Sequence, residues 1–269
     1  TSELGIFNRG DRAEVGTFDG KPLTNKYSTN VVDICPVGAL TSRDFRFRQR
    51  VWFLKDKETI CTGCSTGCNV KAYYNKEGVF RVKPVYNAAV NGHWMCDDGR
   101  DVYKFVNREN RLIDAKIVSG GKTEHMQPME LAKRLGATLK GQGASVALVL
   151  TGSHSVEEYE AIVSYFKNDV GTTQIYHWIN NPDMIDSFDG ILIRGDKNPN
   201  TKGLIEVLAK NGISTQWKSL TDAIGTGAVK TVVVAGPENQ ALFPDMKVKI
   251  SELSKAAKLV WMTAGKNSE

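Results

Sequence analysis

The chain has 269 residues, of which 41% are hydrophobic and 24% are charged, and its formal net charge is +5. Such a composition is ordinary for a globular protein of one or two domains. No apolar run approaches the ~18–20 residues of a membrane-spanning helix, and the first residues lack the apolar core of a signal peptide. Because the sequence does not begin with Met, we expect an internal fragment or a processed chain.

The excess of positive over negative charge is confined to the first half of the chain. Residues 1–126 hold 20 Lys and Arg against 15 Asp and Glu, whereas residues 127–269 hold 15 of each. All five cysteines also lie in the first half. Basic surroundings would offset the negative charge of a thiolate-bound cluster. On charge alone, a mildly basic surface is the simpler interpretation.

The first half is predicted to be rich in β-structure. Residues 1–50 are expected to be irregular, with turns at 8–11 and 19–22. Arg and Phe alternate at the start of residues 44–54. This alternation predicts a strand with one solvent-exposed face rather than a nucleic-acid contact. Residues 69–84 are predicted to form a hairpin that turns at Asn75–Gly78.

The second half alternates between strand and helix patterns. Ser155 and Glu158 have the spacing of a helix-capping box. Alternation of this kind predicts right-handed βαβ units and a parallel sheet with helices on both faces. The residues from 263 onward are expected to form a frayed tail. Helices are predicted at 127–139, 156–166, 201–210, 220–224 and 251–258, and strands at 144–150, 174–177, 190–194, 213–217, 231–235 and 259–262.

Four cysteines form the pattern C-x2-C-x3-C-x27-C. Three of them, Cys61, Cys64 and Cys68, lie in CTGCSTGC, and Cys96 lies in WMCDDGR. One loop that supplies three thiolates, with a fourth from a distant segment, is typical of a [4Fe–4S] site. The residues between the first three are small, so backbone N–H groups can approach the sulfurs.

Two other interpretations of the cysteines remain open. Zinc sites usually present two close pairs of ligands, and a lone fourth Cys 27 residues away fits that pattern poorly. Four unrelated thiols would not be expected to cluster in this way. The residues therefore favour an iron–sulfur cluster over zinc, and zinc over unrelated thiols.

The motifs around these cysteines carry a family resemblance. CTGCSTGC, VNGHWMCDDGRDVYKFV and NRENRL resemble the iron–sulfur module that opens molybdopterin-type oxidoreductases. The form VNxxWxCDxGRxxY, with the upstream ELGIFNRGDRAEVGTF and NVVDICPVGALTSRDFRFRQRVWFL, more specifically resembles the large iron–sulfur subunit of bacterial NADH-quinone oxidoreductase, respiratory complex I. The resemblance is strong over residues 1 to about 112. Over residues 127–269 it is limited to the general character of a Rossmann-like lobe.

The resemblance implies an α/β chain in which a small β-rich iron–sulfur module is followed by a Rossmann-like parallel-sheet lobe. Residues 1–50 would be the end of a ferredoxin-like iron–sulfur domain, residues 51–112 the [4Fe–4S] module, and residues 113–269 part of a molybdopterin-oxidoreductase-like lobe. The cofactor would be one [4Fe–4S] cluster on the four cysteines.

The resemblance also implies a role and a location. The chain would transfer electrons within a respiratory complex and would meet NADH and quinone only through other subunits. It would lie peripherally at the cytoplasmic face of the inner membrane. Nucleic acid would not be among its partners. Cys35, in CPVGAL, matches the last ligand of another [4Fe–4S] cluster whose other ligands lie outside this chain. A buried thiol without a metal is the alternative for Cys35.

The sequence leaves two alternative functions open. The first is a fragment of a molybdopterin-dependent oxidoreductase of the formate or nitrate type. It is disfavoured because no Cys follows Cys96 and because Asp98 stands where catalytic relatives commonly have Lys. Asp97 and Asp98 would repel a pyrophosphate-bearing cofactor, so no molybdopterin is expected. The second is a structural module in which the metal only stabilises the fold.

Overall fold

The computed structural model describes residues 3–107, 109, 111–237 and 243–265. The chain divides into two compact units. The β-rich unit contains the described residues up to Cys61, then Cys68–Asn107 and Gly190–Ile193. The α/β unit contains Thr62–Gly67 and the described residues from 109 to 189 and from 194 onward. Within the described residues, no helix has the length and apolar character needed to cross a membrane.

The β-rich unit is built from two small antiparallel sheets. One is the hairpin of β1 Leu4–Phe7 and β2 Glu14–Thr17, and the other has, in spatial order, β3 Lys55–Ile60, β4 Asn69–Asn75 and β5 Gly78–Pro84. The predicted hairpin at 69–84 is confirmed as β4 and β5, with its turn at the predicted Asn75–Gly78. The short helices of this unit are α1 Asn30–Ile34, α2 Asp97–Arg100 and α3 Val102–Val106.

The strand predicted at 44–54 is wrong. The segment is a series of turns, and β3 begins only at Lys55. Phe47 has a left-handed backbone (φ 64°), which a strand does not tolerate, and its side chain is 91% exposed. The ring of Phe45 stacks on the Arg81 guanidinium at 4.3 Å, so the alternating aromatics serve cation–π contacts instead of a ladder. The expectation that residues 1–50 are irregular is also wrong at β1, β2 and α1.

The α/β unit is a four-stranded parallel sheet covered on both faces, next to a separate antiparallel hairpin. In spatial order its strands are β11 Lys258–Met262, β10 Thr231–Ala235, β8 Val146–Thr151 and β9 Ile175–Trp178, and all neighbouring strands are parallel. The hairpin is β6 Ala115–Ser119 with β7 Lys122–Met126, which the sequence patterns missed. The α-helices of this unit are α4 Pro128–Leu139, α5 Val156–Tyr165, α6 Thr201–Lys210, α7 Trp217–Gly225 and α8 Met246–Leu253.

The central strand β8 divides the core of this unit into two hydrophobic clusters. Every residue of β8 is buried. Val146, Leu148 and Leu150 pack into one cluster with side chains of α4, α5 and α6. Ala147 and Val149 pack into the other cluster with side chains of α7 and α8. A strand that is apolar on both faces is what a doubly covered parallel sheet requires.

Most elements predicted in the second half of the chain are confirmed, and three are not. The capping box exists as predicted, with the Glu158 N–H donating to Ser155 Oγ and the Ser155 N–H to Glu158 Oε2. The strand predicted at 190–194 is wrong, since the N–H groups of Leu192 and Ile193 donate to the Tyr27 hydroxyl instead of a ladder.

The strand predicted at 213–217 is wrong as well, because Trp217 begins α7. The helix predicted at 251–258 is misplaced, since α8 ends at Leu253 and Lys258 already begins β11. The end of the predicted tail, residues 266–269, lies outside the described residues.

Candidate metal centre

The β3–β4 connection carries the cysteine triplet. Cys61 follows the last residue of β3 and Cys68 precedes the first residue of β4. The Cys61 N–H donates to the Cys68 carbonyl at 2.8 Å, so the ladder extends one step beyond the Ile60–Asn69 pair. Both cysteines are buried, in a small cluster with Val70, Val82 and Met95. The sheet therefore fixes the first and third thiols at the two ends of one loop.

Cys96 approaches this pair through the start of α2. It is the N-cap residue of that helix, and its Sγ accepts a hydrogen bond from the Gly99 N–H at 3.3 Å. A Cβ added at Gly99 would lie 3.1 Å from the Cys61 sulfur and 3.4 Å from the Cys96 sulfur. Both sulfurs therefore lie beside the backbone of Gly99, which has no side chain. A side chain at residue 99 would occupy the space beside them.

Buried polar side chains hold the segment of Cys96 in place. Asn30 is only 6% exposed; it donates to the Met95 carbonyl at 2.8 Å and accepts from Arg100 at 2.8 Å. Arg100 also pairs with Asp33 at 2.6 Å. A guanidinium that is buried must be paired, so Arg100 ties α1 to α2. These residues fix the backbone on both sides of Cys96.

A second asparagine ties the Cys96 segment to the hairpin. Asn91, 2% exposed, accepts from the Asn69 N–H at 3.0 Å and donates to the Trp94 carbonyl at 3.1 Å. Asn69 directly follows Cys68, and Trp94 lies two residues before Cys96. One side chain therefore links the backbones next to the third and fourth thiols. Asn30, Asn91 and Arg100 all lie in the motifs that carry the family resemblance, but the motifs do not reveal their roles, because several of their partners are far away along the chain.

Cys64 lies in the loop between Cys61 and Cys68, and its side chain is buried. Its thiol donates to the Thr66 hydroxyl at an S···O distance of 3.4 Å. A hydroxyl also donates, so Thr66 suits a thiolate at this position too. Gly67 has φ +65°, a conformation that glycine adopts without strain and that returns the loop to β4.

Cys35 differs from the other four because it is partly exposed, in the loop after α1. Backbone N–H groups of the following loop, from Leu40 first and then Val37, Ala39 and Gly38, lower the pKa of its thiol. These donors favour the thiolate form, which is the form that binds metals.

The residues present fit a [4Fe–4S] cluster. All five cysteines lie in the described part of the chain, and none forms a disulfide. The four motif cysteines are buried, the residues between the first three are small, and a backbone N–H already points at one sulfur. The described residues hold no group of three or more His, Cys, Asp or Glu side chains placed for a single metal ion. A cluster spreads its thiolates over different irons, so that finding does not bear on it.

Two protein families match parts of the chain. Residues 1–41 match the ferredoxin-like domain of NADH-quinone oxidoreductase subunit 3, and residues 54–108 match the molybdopterin oxidoreductase Fe4S4 domain. The second match contains all four motif cysteines, which supports an iron–sulfur cluster. The first contains Cys35.

Curated relatives cover most of the chain. The chain is 41% identical over 115 residues to the mitochondrial NADH dehydrogenase [ubiquinone] iron-sulfur protein 1 of Solanum tuberosum, covering 43% of this chain and 15% of the relative. It is 32% identical over 173 residues (63% and 20%) to a subunit of NADH-quinone oxidoreductase from Streptomyces coelicolor. It is 23% identical over 275 residues (96% and 38%) to the same subunit from Rickettsia prowazekii. The resemblance to this subunit is confirmed, although the chain spans well under half the length of these relatives.

Proposed function

We propose that this chain holds one [4Fe–4S] cluster on Cys61, Cys64, Cys68 and Cys96 and transfers electrons as part of an NADH-quinone oxidoreductase. The observation that carries the proposal is the convergence of Cys61 and Cys96 on Gly99, at the open end of a sheet that also fixes Cys68. Cys64 is the fourth ligand, from the loop between Cys61 and Cys68.

When bound, such a cluster accepts and releases one electron. The chain supplies the four thiolates, buries them, and directs the Gly99 N–H at the Cys96 sulfur. A hydrogen bond to a sulfur stabilises the more negative, reduced state and so raises the reduction potential. The surplus of Lys and Arg in residues 1–126 acts in the same direction.

The wider role follows from the relatives. Electrons come from NADH and reach quinone through other subunits of the complex, and this chain binds neither molecule itself. It carries no molybdopterin and sits peripherally at the cytoplasmic face of the inner membrane. Residues 51–112 form the cluster module, residues 1–50 end a ferredoxin-like domain, and residues 113–269 form part of the α/β lobe. Cys35 completes a second cluster with ligands from outside this chain.

The test is anaerobic purification followed by analysis of iron, sulfide, zinc, molybdenum and tungsten, with low-temperature EPR of the reduced protein. We expect equal amounts of iron and sulfide and the signal of a [4Fe–4S] cluster. The variant Cys96→Ser removes the remote ligand and is expected to lose most of the iron. Cys35→Ser is the matched control: in this chain alone, without the outside ligands of the second cluster, it is expected to keep the iron on the four motif cysteines.

Stoichiometric zinc without a cluster signal would overturn the proposal, as would retention of the full cluster in Cys96→Ser. Molybdenum or tungsten in the intact protein would favour the oxidoreductase fragment. Unimpaired electron transfer to quinone by an assembled complex that carries Cys96→Ser without its cluster would favour the structural module that a metal only stabilises.

A further inference from the structure

A backbone hydrogen bond joins the loop that carries Cys64 to the turn before α6 in the same α/β unit. The Ser65 N–H donates to the Asp196 carbonyl at 3.0 Å. Ser65 directly follows Cys64, so the position of the Asp196 carbonyl constrains the backbone next to a proposed ligand. Asp196 lies in the turn before α6.

The turn at Asp196 is held by a buried network of side chains. Asp196 is 2% exposed and Asn198 is 1% exposed. One carboxylate oxygen of Asp196 accepts from both the backbone N–H of Asn198, at 2.9 Å, and its side-chain amide, at 2.8 Å. Asn198 also exchanges hydrogen bonds with the backbone of Asn180, which follows β9. A buried network of this kind rigidifies the backbone that it spans.

The same turn packs directly against the carboxyl end of β8, an interior strand of the parallel sheet. A Cβ added at Gly152, the residue after β8, would lie 2.5 Å from the Asn198 Cβ. Gly152 is therefore required for this close approach, and its carbonyl accepts from the Asn200 N–H at 2.9 Å. The connection runs from the buried strand β8 through Asn198 and Asp196 to Ser65.

Asp196 also brings a buried negative charge to the turn. Among the described residues, no Lys, Arg or His side chain forms an ion pair with its carboxylate. Its hydrogen-bond donors are amides, which satisfy the oxygen but do not neutralise the charge. In a buried environment, such a charge acts over longer distances than in water. Reduction adds an electron to a cluster, so a nearby carboxylate opposes it.

We infer that Asp196 positions the loop of Cys64 and lowers the reduction potential of the cluster that this loop helps to hold. The inference rests on the proposed function, because it concerns the same cluster. It makes the α/β unit a determinant of the redox properties rather than only a scaffold.

The decisive variant is Asp196→Asn. The amide keeps the shape of the side chain and an oxygen that can accept from Asn198, but it removes the charge. At a fixed ambient potential, we expect the ratio of reduced to oxidised cluster to rise roughly threefold to tenfold, where tenfold corresponds to about 59 mV for one electron. Asp169→Asn removes an exposed carboxylate of the same unit and is the matched control, with no expected change.

The measurement is a redox titration followed by EPR, with iron content determined for each variant. A midpoint potential of Asp196→Asn equal to that of the wild type, at full iron content, would overturn the inference. An equal shift in Asp169→Asn would overturn it too, because the effect would then be one of net charge.

A second variant keeps the inference testable if Asp196→Asn does not retain iron. Asn198→Ala leaves the charge in place but frees the turn, so the peptide containing residues 62–67 is expected to exchange its amide hydrogens faster than in the wild type. Unchanged exchange would refute the positioning role. Because this readout needs no cluster, it separates a failure of this inference from a failure of the proposed function, which would appear as wild-type protein without any cluster.

Discussion

The two units of the chain owe their structure to different interactions. The α/β unit has two extensive hydrophobic clusters, one on each face of its sheet. Among its described residues, the β-rich unit has one small cluster of five buried residues, two of which are Cys61 and Cys68. Much of its remaining order comes from buried polar residues such as Asn30, Asn91 and Arg100. The comparison teaches that apolar burial suffices for one unit, whereas the other is arranged around its thiols.

The largest expected effect is on the core of the α/β unit. Leu148 is 0% exposed on the central strand, so Leu148→Ala should lower the free energy of unfolding by about 2–5 kcal/mol. Urea unfolding of the cluster-loaded protein measures this loss. Iron content in native buffer should not change, because the folded state still predominates.

Ile205→Ala is the control for this variant. Ile205 is also apolar, but it is 46% exposed on α6, and its replacement should change the free energy of unfolding by no more than about 0.5 kcal/mol. Loss of iron from Leu148→Ala under native conditions would break the comparison, since it would show that the cysteines depend on the sheet core.

A smaller effect on stability, but a direct one on the metal, is expected at Gly99. An added Cβ would lie 3.0 Å from the Met95 Cε and 3.1 Å from the Cys61 sulfur. Such overpacking should cost about 1–3 kcal/mol, partly offset by the better helix propensity of Ala. Gly99→Ala should therefore bind less iron than the wild type, as measured by iron analysis and the EPR signal.

Gly225 offers the matched position in the other unit. It ends α7, and an added Cβ would meet no atom within 4 Å. Gly225→Ala should be neutral or stabilise the protein by up to about 1 kcal/mol, with iron content unchanged. Equal iron content in the two Ala variants would mean that the space beside the sulfurs is not needed.

The smallest expected effect is a pH dependence of the α/β unit. Burial lowers the pKa of His177, on β9, below its ordinary value of 6.5. The unfolded state therefore binds a proton at higher pH than the folded state, so stability is full above about pH 6.5 and falls as the pH drops towards the folded pKa. Urea unfolding at about pH 7.5 and about pH 5.5, on either side of the ordinary value, should show this loss in the wild type and a smaller loss in His177→Gln. Identical pH dependence of the two proteins would contradict the assignment to His177.

Sequence patterns predicted the parts of the fold where local preference and burial agree. The run ASVALVL predicts β8 because both faces of that strand are buried, and Ser155 with Glu158 predicts the start of α5 because a capping box is complete within four residues. The pattern at 44–54 failed because alternation does not distinguish a strand from turns whose aromatic rings stack on arginines. The strand predicted at 190–194 failed because Leu192 and Ile193 bond to a tyrosine hydroxyl 165 and 166 residues away.

The candidate site also has one part that the sequence predicts and one part that it does not. The cysteine spacing alone predicts the four proposed ligands, since the chemistry of a cluster imposes it. The residues that hold those ligands are not predictable in this way. Asn91 acts through partners up to 22 residues away and Asn30 through partners 65 and 70 residues away, and each contact depends on the completed fold.

The hydrogen bond from the Cys61 N–H to the Cys68 carbonyl has a consequence for metal uptake. Once β3 and β4 have paired, the ends of the intervening loop are already closed, and the chain entropy of closing it has been lost during folding. An incoming cluster would meet two sulfurs with a fixed separation, so less freedom remains to be lost on binding. Uptake should therefore be fast in protein whose sheet has formed, and slow in protein that is still unfolded.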